Sequence, residues 1–250
     1  MKFYLLLLFV VLSLAPVQVM AQAQQQHAEQ IKLTSLDWPP YTGQQLPGQG
    51  EVTVLLRQVM ADLGYQLQID FLPWPVAVAK ARSGAEGHQG YFPEYTVTDP
   101  GYLMSAAIGY SELGLVERRD APLLLTDFSQ LSAVRFGVVQ DYLNMTKLDE
   151  MIAAGQLKPV ITTSDINNVL KVINGQLQAA VIDKRVFNYL LLHEPSIQQS
   201  AHLVQFSQSL RENRSLHLIL KNTAQNAAII KKFNQKIRQY KTRFIDPSLR

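Results

Sequence analysis

Apolar residues follow two spacings along the chain, and these spacings predict strands and helices in turn. In the segment 51–64 they recur every three or four residues, from Val52 and Leu55 to Leu63, which gives a helix one apolar face. Gly64 then supplies a C-terminal stop. The other elements predicted for this part are strands over 31–36, 65–71, 89–95 and 114–117 and a helix over 76–81.

The same alternation starts again after the polar break at 118–122. It predicts strands over 135–139, 158–161, 179–182 and 216–220, and helices over 142–154, 166–174, 187–193 and 222–240. Repeated β-α-β units are typical of an α/β fold in which helices flank mostly parallel sheets. We therefore expect two lobes, 31–117 plus 216–250 and 118–215, whose two chain crossings act as a hinge.

The N-terminal segment differs from the rest of the chain. Lys2 precedes an apolar run over 4–14, and Pro16 and the small residue Ala21 follow it, which is the pattern of a cleavable secretory signal over 1–21. The run is about half of the roughly 20 residues that a permanent membrane anchor needs. We expect export to the periplasm, with the polar tract 22–30 forming a disordered linker.

Composition excludes several classes of function. Hydrophobic residues make up 47% of the chain and charged residues 17%, which indicates a packed core. The net charge is +3, and basic residues cluster only in pairs such as Lys231-Lys232, so nucleic acid is not an expected partner. The absence of Cys excludes disulfides, a thiol nucleophile and a lipidated cysteine. The histidines lack metal-ligand spacing, and neither a catalytic motif nor a cofactor loop is complete, so we expect no metal, no cofactor and no enzyme.

Aromatic and acidic residues concentrate in the loops that follow the predicted strands. Ligands of open α/β sheets bind outside the carboxyl ends of the strands, where such loops leave the sheet. Both tryptophans of the chain lie in these loops. The loops are 38–41, 73–74, 91–96, 140–144 and 183–184.

The order of short motifs in these loops resembles the bacterial extracellular solute-binding protein family 3, which comprises periplasmic receptors for polar amino acids. The motifs are Trp38-Pro-Pro-Tyr41, Phe71-Leu-Pro-Trp74, Gly90-Tyr-Phe-Pro-Glu-Tyr-Thr96, Phe136-Gly-Val-Val139 and Ala179-Ala-Val-Ile-Asp183. The resemblance covers about residues 31–246. It implies a two-lobed periplasmic binding protein that closes on a small solute and usually delivers it to an ABC permease.

The resemblance also implies roles for individual residues. Trp38 resembles the aromatic residue that covers the ligand, and Trp74 the apolar residue after the second strand. Glu94 and Thr96 match residues that meet the ligand's amino group, and Asp183 matches the carboxylate that pairs with its ammonium. This chain departs from the family at two positions: Gly101 stands where an arginine holds the ligand carboxylate, and Asp141 replaces a glycine.

Without that arginine, an α-amino acid lacks its strongest partner, because charge-assisted bonds are about twice as strong as neutral ones. Carboxylates among aromatic rings suit a cation instead. The candidate ligand-binding residues are Trp38, Tyr41, Trp74, Tyr91, Glu94, Thr96, Asp141, Tyr142 and Asp183. The sequence therefore favours an amine-bearing or cationic solute bound by a monomer.

Several alternatives remain open from the sequence. Asp141 fits the N-cap of a helix that begins at Tyr142, Asp183 fits a solvated acid at a strand end, and the aromatic residues fit simple loop packing. The family also resembles secreted cyclohexadienyl dehydratases, in which Glu94 would be a general acid. A third hypothesis is a sensor that presents its ligand to a membrane receptor instead of a permease.

Overall fold

The computed structural model describes residues 28–240. Its strands are β1 (Glu29–Ser35), β2 (Tyr65–Phe71), β3 (His88–Glu94), β4 (Tyr102–Met104), β5 (Gly109–Arg118), β6 (Phe136–Val139), β7 (Val160–Thr162), β8 (Ala179–Asp183), β9 (Val204–Phe206) and β10 (Glu212–Lys221). Its helices are α1 (Glu51–Asp62), α2 (Trp74–Ser83), α3 (Thr146–Ala153), α4 (Asp165–Ile173), α5 (Lys184–His193), α6 (Pro195–Gln198) and α7 (Ala224–Lys236).

Parallel strands form the centre of each half of the sheet system. In the first half β1 lies between β2 and β3 and runs parallel to both. In the second half β6 runs parallel to β7 and β8. The carboxyl ends of the parallel strands in each half therefore meet at one edge, and the loops that leave this edge carry the candidate site.

Two long strands, β5 and β10, join the halves. Residues 109–113 of β5 pair with residues 212–216 of β10, and residues 113–117 of β5 pair with β8. The later residues of β10 pair with β3 and β4. Each long strand thus contributes to both halves. The boundary between lobes remains a proposal, and this pairing favours placing the first crossing near Leu113, before the 117/118 boundary expected from the sequence.

A close approach between β3 and β10 depends on one glycine. A Cβ atom on Gly90 would lie 2.0 Å from the carbonyl oxygen of Ile219. Since that distance is far below van der Waals contact, any larger residue would push the two strands apart.

The structure corrects several sequence-based expectations. Glu29 and Gln30, placed in a disordered linker, belong to β1 and pair with β2. The helix expected from Tyr142 begins at Thr146, strand β5 is longer than expected, and the short strands β4 and β9 were not predicted. The signal segment 1–21 and residues 22–27 of the linker lie outside the described residues, as do 241–250. Among the helices of 28–240, none is long and apolar enough to cross a bilayer.

Candidate functional site

A cleft opens where the loops of the two halves face each other. Aromatic and aliphatic side chains form most of its wall, and three acidic residues interrupt them. Its lining residues are Leu36, Trp38, Trp74, Pro93, Glu94, Tyr95, Leu113, Val139, Tyr142, Leu143, Asn144, Asp165, Val181, Ile182, Asp183 and Leu216. The cleft is thus shaped for a small, partly apolar solute.

A tight turn after β1 positions Trp38. The backbone amides of Trp38 and Thr42 each donate to the carbonyl of the other residue, at 2.8 and 3.1 Å. The Trp38 ring stacks on the Tyr41 ring with the centroids 4.6 Å apart. Gly50 lies beneath this turn with a φ of 100°, and a Cβ there would meet the Tyr41 carbonyl oxygen at 2.4 Å. The turn is therefore held rigidly, and its tryptophan forms one wall of the cleft.

Asp183 lies at the end of β8 and is 2% exposed. One carboxylate oxygen caps helix α5 by accepting from the backbone amides of Arg185 and Val186 at 2.7 and 2.9 Å. The other oxygen accepts from the hydroxyls of Ser111 at 2.6 Å and Tyr41 at 3.0 Å. Both oxygens are therefore saturated by the protein itself. The sequence-based alternative of a solvated acid is wrong.

Burial raises the pKa of Asp183, and these four hydrogen bonds oppose the rise. The network continues through Ser111 to the hydroxyl of Tyr95, 2.8 Å away. Tyr41 is itself buried, and its hydroxyl also contacts the Tyr110 carbonyl. Tyr41 therefore supports Asp183 from behind instead of lining the cleft.

Asp165 is a cleft acid that the sequence analysis missed. It is the first residue of α4, is 9% exposed, and forms no ion pair with any residue between 28 and 240. Burial, with a smaller contribution from the charge of Asp183, raises the pKa of Asp165 to about 7, and the Trp38 side chain opposes the rise by hydrogen bonding. Asp165 lies in the connection between the predicted strand 158–161 and the predicted helix 166–174, so the strand-end rule would have included its loop.

Glu94 is the corresponding acid in the first half of the molecule. It ends β3 and accepts a hydrogen bond from the backbone amide of Tyr95 at 2.7 Å. Burial raises the pKa of Glu94 to about 7, although that amide and the charges of Arg214 and Arg82 lower it. A carboxyl group that titrates near neutrality in a cleft is a typical feature of a functional site.

The cationic side chains near the cleft contact other groups of the protein and do not line the cleft. No Lys or Arg is among the lining residues in the part of the chain that the structure describes. Arg214 lies over the Tyr95 ring, 4.4 Å from its centroid, and donates to the Asn144 carbonyl. Arg118 does not line the cleft and pairs with Asp120 at 2.6 Å. The cleft therefore has an excess of acidic groups.

An outer groove continues the cleft past Trp74, Glu94 and Leu143. Besides Trp74 and Glu94, it contains three more of the residues proposed from the sequence, Tyr91, Thr96 and Asp141, together with Arg82, whose guanidinium lies 3.8 Å from Asp99.

Asp141 is exposed and has a φ of 60°, a left-handed conformation that glycine adopts most easily. Because α3 begins at Thr146 after Met145, the alternative that Asp141 caps this helix is wrong.

The structure brings most of the sequence-predicted site residues to one place. Trp38, Trp74, Glu94, Tyr142 and Asp183 line the cleft, whereas Tyr41 lies behind it and the other three candidates lie in the outer groove or at its border. Sequence reasoning missed Tyr95, Asn144 and Asp165 as lining residues.

One histidine does have an acidic neighbour, although it is distant in sequence. His88 Nε2 lies 3.0 Å from an oxygen of Asp70, and Glu86 is close enough to join them as metal ligands. The Lys80 ammonium, however, contacts Asp70 at 3.1 Å and Glu86 at 3.0 Å. The lysine bridges both carboxylates, so the cluster is a structural ion-pair network beside β3.

No protein-family model matches the sequence, and no curated protein matches it by sequence. Solved structures do match. A histidine kinase sensor domain with similarity to periplasmic binding proteins has a TM-score of 0.70 at 15% identity, covering 86% of this chain and 93% of that one. An arginine transport periplasmic binding protein from Legionella pneumophila has a TM-score of 0.66 at 12% identity, covering 86% and 95%. The GluR0 ligand-binding core from Nostoc punctiforme, in complex with L-glutamate, has a TM-score of 0.65 at 13% identity, covering 84% and 92%.

These likenesses define the fold class: the chain has the α/β fold of the periplasmic binding proteins, in agreement with the resemblance found in the sequence. These three structures are a sensor domain, a periplasmic binding protein and a ligand-binding core. At these identities the comparison establishes the fold, and the solute must be inferred from the cleft of this chain.

Proposed function

We propose that the protein is a periplasmic solute-binding protein that closes on a small amine-bearing or cationic solute for ABC uptake or for sensing. The observation that carries the proposal is the composition of the cleft wall: Glu94, Asp165 and Asp183 among aromatic rings, with no Lys or Arg between 28 and 240 lining it.

Elementary electrostatics favours a cation in this cleft. Carboxylates neutralise an ammonium group, and each aromatic face adds about 0.5–2 kcal/mol by cation–π attraction. Trp38 and Trp74 are each 8% exposed and line the same space, so a solute between them would lose most of its water. Attraction between unlike charges increases as water is excluded.

An ordinary α-amino acid fits this cleft less well. Its carboxylate would be buried near three acids, and Gly101 leaves it without the arginine that family members use. An unpaired buried charge costs several kcal/mol. The matched arginine and glutamate receptors therefore support the mode of binding but not the same ligands.

The joining strands support closure of two lobes on the solute. Because β5 and β10 contribute to both halves, small changes in these strands would rotate one lobe against the other. The matched structures include both transport receptors and a kinase sensor domain, so the fold is compatible with either use. Uptake of the bound solute by cells with and without the gene would separate transport from sensing.

A thermal-shift screen of the purified protein tests the proposal. Organic amines, neutral isosteres of the same shape and the common amino acids would be compared at equal concentrations. An amine at 100 times its dissociation constant should stabilise the protein by about 2.7 kcal/mol. Stabilisation by neutral or anionic solutes alone would contradict the proposal.

A secreted dehydratase is the second candidate, and Glu94 is the observation that favours it. A carboxyl group with a pKa of about 7 can act as a general acid at neutral pH. A cyclohexadienyl acid, however, would bring negative charge to the other two cleft acids. Mass spectrometry of each stabilising solute after incubation decides between the two functions, because a binding protein returns its ligand unchanged.

A further inference from the structure

Two of the three cleft acids are free to hold a ligand. Asp183 is saturated by Arg185, Val186, Ser111 and Tyr41. Asp165, by contrast, is nine-tenths buried and has no ion-pair partner within 28–240, and the donor facing it is the Trp38 side chain. An unpaired buried carboxyl is costly, which is why such groups are normally matched by a cation.

Glu94 is the second free acid. One of its oxygens accepts from the neighbouring Tyr95 amide, and no Lys or Arg of the described chain lies within 4 Å of its carboxylate. The nearby guanidinium groups, Arg214 and Arg82, act on it only through longer-range charge.

The two free acids lie at different points of the cleft. Glu94 belongs to the first half and also borders the outer groove, whereas Asp165 begins α4 of the second half. Asp165 does not line the outer groove, so the two carboxyl groups occupy different parts of the cleft wall.

The cleft that holds both acids is walled mainly by apolar side chains. Trp38, Trp74, Tyr142 and Leu143 share the cleft with both acids. Aromatic and aliphatic walls suit a methylene chain, and the acids suit a positive charge at each end of that chain. A ligand with one ammonium would leave a second carboxyl desolvated without a partner.

We propose that the solute is a linear dication, an α,ω-diamine whose inner ammonium binds Asp165 and whose outer ammonium binds Glu94. This inference rests on the proposed function and names the class of solute for the same cleft. The inner ammonium group of the diamine accounts for the buried position of Asp165 beside Trp38. The outer ammonium group lies where the cleft meets the outer groove.

Calorimetry with two matched probes tests the inference on the unmodified protein. The probes are 1,5-diaminopentane and n-pentylamine, which differ by one ammonium group. We expect the diamine to bind about tenfold or more tightly, the factor that one charge-assisted hydrogen bond supplies. A series of diamines with three to eight carbons would then measure the span between the acids.

Two isosteric variants test which acid binds which ammonium group of the diamine. Glu94→Gln should weaken the diamine to the level of pentylamine and leave pentylamine unchanged. Asp165→Asn should weaken both probes, because the single ammonium takes the buried end. Glu150→Gln, an exposed acid of α3, is the matched control and should change neither.

Equal affinity for the diamine and the monoamine would overturn the inference that the solute is a dication, but it would be consistent with the proposed function of an amine-binding protein. Unchanged diamine binding in Glu94→Gln would overturn the assignment of the outer end and with it the inference. If neither amine binds and another class of solute does, the proposed function itself fails.

Discussion

The contacts of Asp183 predict that this residue stabilises the fold, and Asp183→Ala measures how much. The substitution removes the N-cap of α5, which is worth about 1 kcal/mol. It also leaves the hydroxyls of Ser111 and Tyr41 without the oxygen they share, at about 1 kcal/mol each when part of the loss is recovered by other partners. The sum is about 3 kcal/mol of unfolding free energy.

A melting experiment tests this figure. For a chain of this size 1 kcal/mol shifts Tm by about 2–4 °C, so Asp183→Ala should lower Tm by about 6–12 °C. Thr223→Ala is the matched control, because Thr223 caps α7 through a single hydrogen bond to the Asn226 amide and has no buried hydroxyl partners. It should cost about 1 kcal/mol.

The loss of Tm in Asp183→Asn should lie between the losses in Asp183→Ala and Thr223→Ala, because the amide oxygen still caps α5 and a carboxylate with a raised pKa is removed. A loss in Asp183→Ala no greater than that in Thr223→Ala would refute the network. In that case Asp183 would be free for a ligand, as the family resemblance implied.

Three further predictions concern stability. Burial raises the pKa of Asp165 from 3.8 and of Glu94 from 4.5, both to about 7, so the folded protein holds these protons more tightly than the unfolded chain. Their stabilising contribution is full below pH about 4 and is lost as pH rises through 7. The Tm of the protein without solute should therefore fall between pH 5 and 8, and it should fall less in Asp165→Asn. A Tm that does not change with pH in the wild type would contradict the burial of these carboxyl groups. Tyr41→Phe should lower the unfolding free energy by about 1 kcal/mol without changing solute affinity, and weaker binding would place Tyr41 in the cleft. Gly90→Ala should reduce the soluble yield or lower Tm sharply, because its Cβ would overlap the Ile219 carbonyl, and an unchanged Tm would refute that close approach.

The spacing of apolar residues along the chain was sufficient to predict most of the helices and strands. The helix over 51–64 is found as α1 because its apolar spacing matches the turn of a helix and Gly64 ends it. The strands β4 and β9 have three residues each, too few to show any alternation. Helix α3 begins four residues later than expected, because the chain is still extended at Met145, which is the N-cap of this helix.

The candidate site was predictable in position but not in the roles of its members. The strand-end rule placed Trp38, Trp74, Glu94 and Asp183 in one region because parallel strands bring their carboxyl ends together. It did not show that Tyr41, 142 residues away, reaches the carboxylate of Asp183, since such contacts depend on how the halves meet. The strand-end rule includes the loop that holds Asp165, but the sequence did not show that its carboxyl group is buried and without an ion-pair partner among the described residues.

The most direct test of the central claim compares 1,5-diaminopentane with L-lysine by calorimetry on the unmodified protein. The two molecules carry the same two amino groups and differ only in the carboxylate. Because three acids and no Lys or Arg of the described residues line the cleft, the diamine should bind at least about tenfold more tightly, and lysine no more tightly than about micromolar. Nanomolar binding of lysine together with weak binding of the diamine would contradict a cation receptor and would mean that a guanidinium, such as Arg82 or Arg214, turns into the cleft when the solute binds.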